Sequence, residues 1–320
     1  MIYGSGDYRY ELVENWAQLP PGWAFYDIGG IGIDGNDRVY IFNRSKHPLM
    51  IFERSGDLVG SWGEDYFVRP HGIRITSQGE LFCTDDMTHL VSKFSLSGDL
   101  LMTLGDKDKP SDTGYMEDPD LIKSLKSIIR GGPPFNRPTG VALSSSGDIF
   151  VSDGYGNARV HKFSPNGELI LSWGGPGSGI SEFMLPHNIW VDRKDRVWVP
   201  DRENSRIQIF DSQGKFIDAW YDVSRPSDIY IDEEDVVYVS EIGHVGNIGP
   251  RVSLFTIDGK VITRWGNDMV DHMTDLFISP HAISVDSNGD IYVGEVVMTH
   301  SGLDRGNCVI QKFGLIRQNP

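Results

Sequence analysis

The stretch RPTGVALSSSGDIFVSDGYGNARVHKFSPNGELILSWG, from Arg137 to Gly174, holds four short runs, GVAL, DIFVSD, ARVHKF and ELILSWG, separated by SSSG, GYGN and SPNG. Alternating β-branched and aromatic residues bounded by Gly, Asn, Asp and Ser mark strands joined by tight hairpins. The stretch therefore reads as one four-stranded antiparallel sheet of roughly 40 residues, within the period range of repeat architectures.

Further copies begin near Asp27, Arg69, Leu185, Arg225 and Ser279, and Trp-Gly or similar pairs recur at Trp62-Gly63, Leu104-Gly105, Trp173-Gly174, Trp220-Tyr221 and Trp265-Gly266. Six such sheets set radially make an all-β, six-bladed β-propeller, which leaves only short protected edges. The sixth copy stops at VIQKFG without an outer strand, whereas YRYELVE, Tyr8 to Glu14, precedes the first copy. The N-terminal strand is therefore expected to complete the last blade and close the ring. Residues 1–320 are expected to form this one domain, with an inserted loop or helix at about 106–136.

With 39% hydrophobic and 11% aromatic residues, the chain can bury a large core. Its 29 Lys and Arg against 45 Asp and Glu leave a formal net charge of -16, which argues against nucleic acid or an anionic membrane as partner. No 18-residue apolar run occurs, and MIYGSGDYRYELVENW lacks the basic-then-apolar layout of a secretion signal, so a cytoplasmic location is expected. Cys83 and Cys308 lie in strand-like runs far from any CxxC spacing and are expected to be buried free thiols.

An up-and-down blade has two sets of connections. Those between strands one and two, and three and four, are uniformly short here: DGND, SQGE, SSGD, RKDR, EEDV and SNGD, then RSGD, LSGD, PNGE, SQGK and IDGK. The other set is long and variable, and long loops on a rigid scaffold carry function. It includes the segment from Asp106, with a short helix expected within Asp118 to Arg130, and the loops IGHVGNIGP and VVMTHSGLDRGN.

Three histidines fall on that long-loop face. His71, His187 and His281 each follow a proline at the start of the innermost strand of blades two, four and six, where blades one, three and five carry Gly29, Thr139 and Ser227. Alternate blades of a six-bladed ring are about one third of a turn apart, so the three imidazoles are expected to converge on the axis. Neutral imidazoles with open coordination positions suit zinc first, or another divalent transition metal, in a catalytic arrangement.

Residues just after the second strands face the same mouth. Arg44, Tyr155 and Arg202 differ in type from their counterparts in adjoining repeats. The two guanidiniums suit a carboxylate, so a small-molecule substrate carrying one is the expected partner. A tyrosine beside a metal can serve as a base. Asn43, Asp85, Asp153, Asp201, Glu241 and Glu295 read instead as repeat residues that cap backbone amides.

The repeat pattern resembles the NHL family, and within it the peptidyl-α-hydroxyglycine α-amidating lyases. The likeness is densest in VSDGYGNARVHKFSPNGELILSWG, FMLPHNIWV and PDRENSRIQIF. It implies a zinc-centred lyase that cleaves an N-substituted α-hydroxyglycine to an amide and glyoxylate. His71, His187 and His281 would be the metal ligands, Tyr155 the base, Arg202 the stabiliser of developing charge and Arg44 the group holding the substrate carboxylate. Ser279 and Ala282 stand where the family has a methionine and an aspartate, which removes the acidic residue of its structural calcium site, and Gly156 replaces a family cysteine.

Two other readings use the same features. A metal-dependent hydrolase of lactonase or amidase type would use a metal-bound water at the same histidines. A non-catalytic propeller would bind a partner through its loop face.

Overall fold

The computed structural model describes residues 1–267 and 276–317. The expected hairpins form where the turn residues allow a left-handed backbone. In SSSG, Gly147 N donates to Ser144 O at 2.9 Å, and Gly147 has φ 84°. Glycine takes that conformation without steric cost. Where the equivalent position is Asp37, Asp195 or Asp235, φ is 60°, 56° or 64°, an excursion that Asp tolerates better than most residues.

Six up-and-down antiparallel sheets result, and the fold is the six-bladed β-propeller expected from the repeats. The chain divides into two compact units, residues 67–226 and residues 1–66 with 227–320. The first unit holds blades two to four. Blade two comprises Pro70–Ile75, Glu80–Asp85, Leu90–Ser95 and Leu100–Leu104; blade three Pro138–Leu143, Ile149–Asp153, Arg159–Phe163 and Leu169–Trp173; blade four Trp190–Val191, Val197–Asp201, Arg206–Phe210 and Phe216–Trp220. The inner strand of blade four is only two residues long, so His187 stands ahead of it rather than at its first positions.

The second unit holds blade one, with strands Ile28–Ile33, Val39–Asn43, Leu49–Phe52 and Leu58–Trp62, and blade five, with Pro226–Ile231, Val236–Glu241, Arg251–Thr256 and Val261–Gly266. In blade six, Pro280–Val285, Ile291–Glu295 and Ile310–Leu315 are completed by Tyr8–Val13, which pairs antiparallel with Ile310–Leu315. The N-terminal closure is thus present, and Ile2–Ser5 adds a fifth strand that the repeat pattern did not reveal.

Aromatic residues fill the spaces between sheets. Phe150, Phe183 and Phe210 pack with Val160 and Val197 between blades three and four, and Tyr10, Trp265, Phe277 and Phe313 pack in the second unit. Burying each such side chain contributes about 1.5–3 kcal/mol.

Four of the acids at the ends of the second strands cap amides, as expected of repeat residues, whereas Glu241 accepts from the Arg251 and Ser253 side chains. Asp85 accepts from Arg69 N at 3.0 Å, Asp153 from Asn136 N at 2.9 Å, Asp201 from Met184 N at 3.0 Å and Glu295 from Ser279 N at 2.9 Å. Each carboxylate therefore fixes the backbone just ahead of an inner strand. Burial outweighs these bonds at Asp201 and Glu295 and raises both carboxyls above their ordinary range.

The short helix within Asp118 to Arg130 is Leu121–Lys126, begun by the Asp120 side chain accepting from Ile122 N at 3.0 Å. One detail differs from expectation. Cys83 is a buried free thiol, but Cys308 is exposed and lies in the one-turn helix Gly306–Val309, because that part of the blade-six connection stays outside the sheet.

Candidate active site

The inner-strand positions set the histidines by a rule that alternates along the chain. His71 Nδ1 bonds to the carbonyl oxygen of Thr139, the matching position of the next blade, at 2.7 Å. Thr139 in turn donates its hydroxyl to Pro186 O, just before His187, at 2.7 Å. The second unit repeats both halves: Ser227 donates to Pro280 O at 2.7 Å, and His281 Nδ1 bonds to Gly29 O at 3.1 Å. Histidine and a small or hydroxyl residue alternate because each secures the other's backbone.

A carbonyl oxygen can only accept, so Nδ1 carries the hydrogen in His71 and His281. In the neutral rings Nε2 then carries a lone pair, the form in which imidazole ligates a metal with its other nitrogen fixed by a carbonyl. His71 and His187 are buried in the first unit and His281 is buried in the second. Imidazoles held in this form are donors that fit a divalent transition metal.

Within the first unit, Tyr155 joins two of the histidines. Its hydroxyl lies 3.3 Å from His71 Nε2 and 3.1 Å from His187 Nε2, and all three side chains are buried. Three guanidiniums surround its ring, with Arg137, Arg69 and Arg202 carbons at 5.2, 5.6 and 5.8 Å from the centroid. Each cation has a buried counter-ion. Asp86 accepts from Arg69 Nε at 2.7 Å and Arg137 Nη2 at 3.2 Å, while Glu203 accepts from Arg202 Nε at 2.8 Å and Arg225 Nη2 at 2.9 Å.

Burial works against the charged forms of Arg69 and Arg202. Asp86 and Glu203, with Tyr155, outweigh it and hold both guanidiniums above their ordinary value. At Glu203 burial likewise opposes ionisation, and the two arginines win, lowering its carboxyl.

The insertion is built against this tyrosine. Leu125 and Ile128, from the helix and the turn after it, pack with Tyr155 and Leu185. Thr113 donates to Gly156 O at 2.6 Å, and Gly132 N donates to the Asn157 side chain at 2.8 Å, so the two residues following Tyr155 hold both ends of the segment.

Of the residues expected at the mouth, His71, Tyr155, His187 and Arg202 meet within one unit. Arg44 and His281 lie in the other, where the Arg44 side chain is 8% exposed with Nη1 4.0 Å from Asp27 Oδ2. Sequence reasoning missed Arg69, Arg137 and Glu203. The arginines did have a signal: Arg-Pro recurs at 69–70, 137–138 and 225–226, always just before an inner strand.

The sheets define a six-bladed propeller, and residues 135–163 match the NHL repeat model. The chain resembles the peptidyl-α-hydroxyglycine α-amidating lyases. It is 28% identical over 334 residues to peptidyl-alpha-hydroxyglycine alpha-amidating lyase 2 of Drosophila melanogaster, covering 90% of this chain and 73% of that one. It is 27% identical over 332 residues to peptidylglycine alpha-amidating monooxygenase of Rattus norvegicus, covering 91% of this chain but 31% of that protein, so it spans about a third of that relative's length. A solved structure of streptogramin B lyase aligns with TM-score 0.58 at 17% identity, over 97% of this chain and 88% of that one, which supports the fold. Among the described residues no helix is long and apolar enough to cross a membrane.

Proposed function

We propose that the protein is a metal-dependent lyase that cleaves an N-substituted α-hydroxyglycine to an amide and glyoxylate. The observation that carries this reading is the Tyr155 hydroxyl within 3.3 Å of two histidine Nε2 atoms, with cations around its ring. Relatives named as amidating lyases support it.

His71, His187 and His281 would hold the ion, with zinc first in preference for an all-imidazole set and no role assigned to calcium. When bound, the metal would act as a Lewis acid on the substrate hydroxyl oxygen. Tyr155, as phenolate, takes the hydroxyl proton. The O–H electron pair becomes the aldehyde C=O, the C–N pair leaves with nitrogen, and nitrogen receives the proton back from Tyr155, so atoms and charge balance. The surrounding guanidiniums stabilise negative charge on the Tyr155 oxygen before the first transfer and after the second. Arg202 faces the charge that develops on the substrate, and Arg44 is assigned to its carboxylate. A carboxylate-bearing small molecule is thus the proposed partner.

The test pairs elemental analysis of wild type and His71→Ala with glyoxylate detection on α-hydroxyhippurate. About one transition metal per chain, lost in the variant, together with glyoxylate release is the expected result. A metal-free protein that releases no glyoxylate would overturn the reading. Oxygen from labelled water appearing in a newly released carboxylate, as distinct from the exchangeable aldehyde oxygen of glyoxylate, would replace elimination by hydrolysis at the same histidines.

A further inference from the structure

A cavity of about 630 Å³ opens beside this site, entirely within the first unit, between the insertion and the loop after the second strand of blade two. The volume falls in the range of sites that enclose a small organic ligand. Its wall is amphipathic: Met87, Pro110, Tyr115 and Met116 supply apolar surface, and Arg137 and Glu117 supply charge. The methionines are 40% and 69% exposed, an unusual cost for a flexible apolar side chain unless something covers it.

Arg137 connects the cavity to the chemistry. It lines the cavity, and its guanidinium carbon is 5.2 Å from the Tyr155 ring centroid. Nη1 donates to Tyr115 Oη at 2.5 Å and Nη2 to Asp86 Oδ2 at 3.2 Å. Nε is buried and, among the described residues, has no hydrogen-bond partner. A buried N–H left without an acceptor is costly, and a ligand oxygen would relieve that cost. Because Asp86 already balances the Arg137 charge, and Glu117 lies 4.0 Å from Nη1, the group offers N–H donors more than net positive charge.

We infer that this cavity is the subsite for the substrate's N-substituent, and that it selects an acyl group. The acyl oxygen accepts from the Arg137 guanidinium, and an uncharged aliphatic chain lies against Met87 and Met116. Glu117 and Asp112 on the wall disfavour an acidic acyl group. The inference rests on the reaction proposed above but concerns binding alone.

The test is calorimetric binding to the purified holoprotein of N-acetylglycine, N-hexanoylglycine and N-succinylglycine, which lack the hydroxyl and do not turn over. Hexanoylglycine is expected to bind at least about tenfold tighter than acetylglycine, from the added buried methylenes, and tighter than succinylglycine. Arg137→Gln should weaken all three. Met116→Asp, at an exposed position that folding tolerates, should narrow the hexanoyl advantage. Equal affinity for acetyl and hexanoyl ligands, or an advantage unchanged by Met116→Asp, would overturn the subsite. If the chain-length preference holds while the hydroxylated counterparts release no glyoxylate, the subsite stands and the lyase reading falls. Glyoxylate release without that preference sinks the subsite alone.

Discussion

His71 and Thr139 are joined across neighbouring blades, with Nδ1 of the histidine donating to the threonine carbonyl oxygen at 2.7 Å. That bond fixes both the ring's orientation and its tautomer, so Nε2 is prepared in advance for the metal proposed above. Losing an orienting partner costs metal affinity by roughly 10–100-fold, and losing the ligand itself should cost more. Equilibrium dialysis with zinc is expected to show His71→Ala weakened by over about 100-fold, whereas equal stoichiometry and affinity would remove the metal from the proposal.

Tyr155→Phe keeps the ring that the arginines and Leu125 contact and removes only the hydroxyl near the histidines. Loss of a general base typically costs about 10²–10⁴-fold. Steady-state glyoxylate production should fall by that factor with little change in melting temperature; full activity in the variant would assign the proton transfer elsewhere.

Tyr10 lies on the strand that completes blade six, is 1% exposed, and packs 5.2 Å from the Trp265 ring. Truncating a buried aromatic costs about 3–5 kcal/mol. Denaturant unfolding of Tyr10→Ala should show a loss of that size. Removing residues 1–14 altogether should lower the melting temperature further, and an unshifted transition would mean that closure contributes nothing.

The lowered carboxyl of Glu203 sets a pH dependence. Its ion pairs with Arg202 and Arg225 stabilise the fold fully above the ordinary carboxylate range and are lost as pH falls through the lowered folded value. The stability gap between wild type and Glu203→Gln should be constant near neutrality and shrink on acidification below about pH 4. A gap that widened with acid would contradict the assigned direction.

Thiol reactivity separates the two cysteines. Burial raises the Cys83 thiol well above its ordinary value, and Cys308 is exposed. A thiol-specific chromogenic reagent should label one group per chain in the native protein and a second only on unfolding.

The blades were legible because their signal is local and repeated: alternation along each strand, and Gly or Asp where the turn needs positive φ. The alternation of His71, Thr139 and His187 was equally visible, since equivalent positions in a repeat can be compared directly. Glu203 and Asp86 were harder to read. Each sits beside a more prominent residue, and its role depends in part on Arg225 for Glu203, and on Arg69 and Arg137 for Asp86, which only the tertiary fold brings near. Cys308 misled because VIQKFG continues a strand that begins only at Ile310. The strand Ile2–Ser5 has no counterpart in other blades, so repeat comparison could not reveal it.

The pairing of Tyr10 with Leu315 bridges about 300 residues of chain. During synthesis, residues 67–226 are complete long before that pairing can occur, so blades two to four can fold while the ribosome is still at work. The strand Tyr8–Val13 must wait, with its apolar side uncovered, until almost the last blade emerges. Chaperone demand should therefore fall on the N-terminal segment, and it should end only when translation passes Leu315.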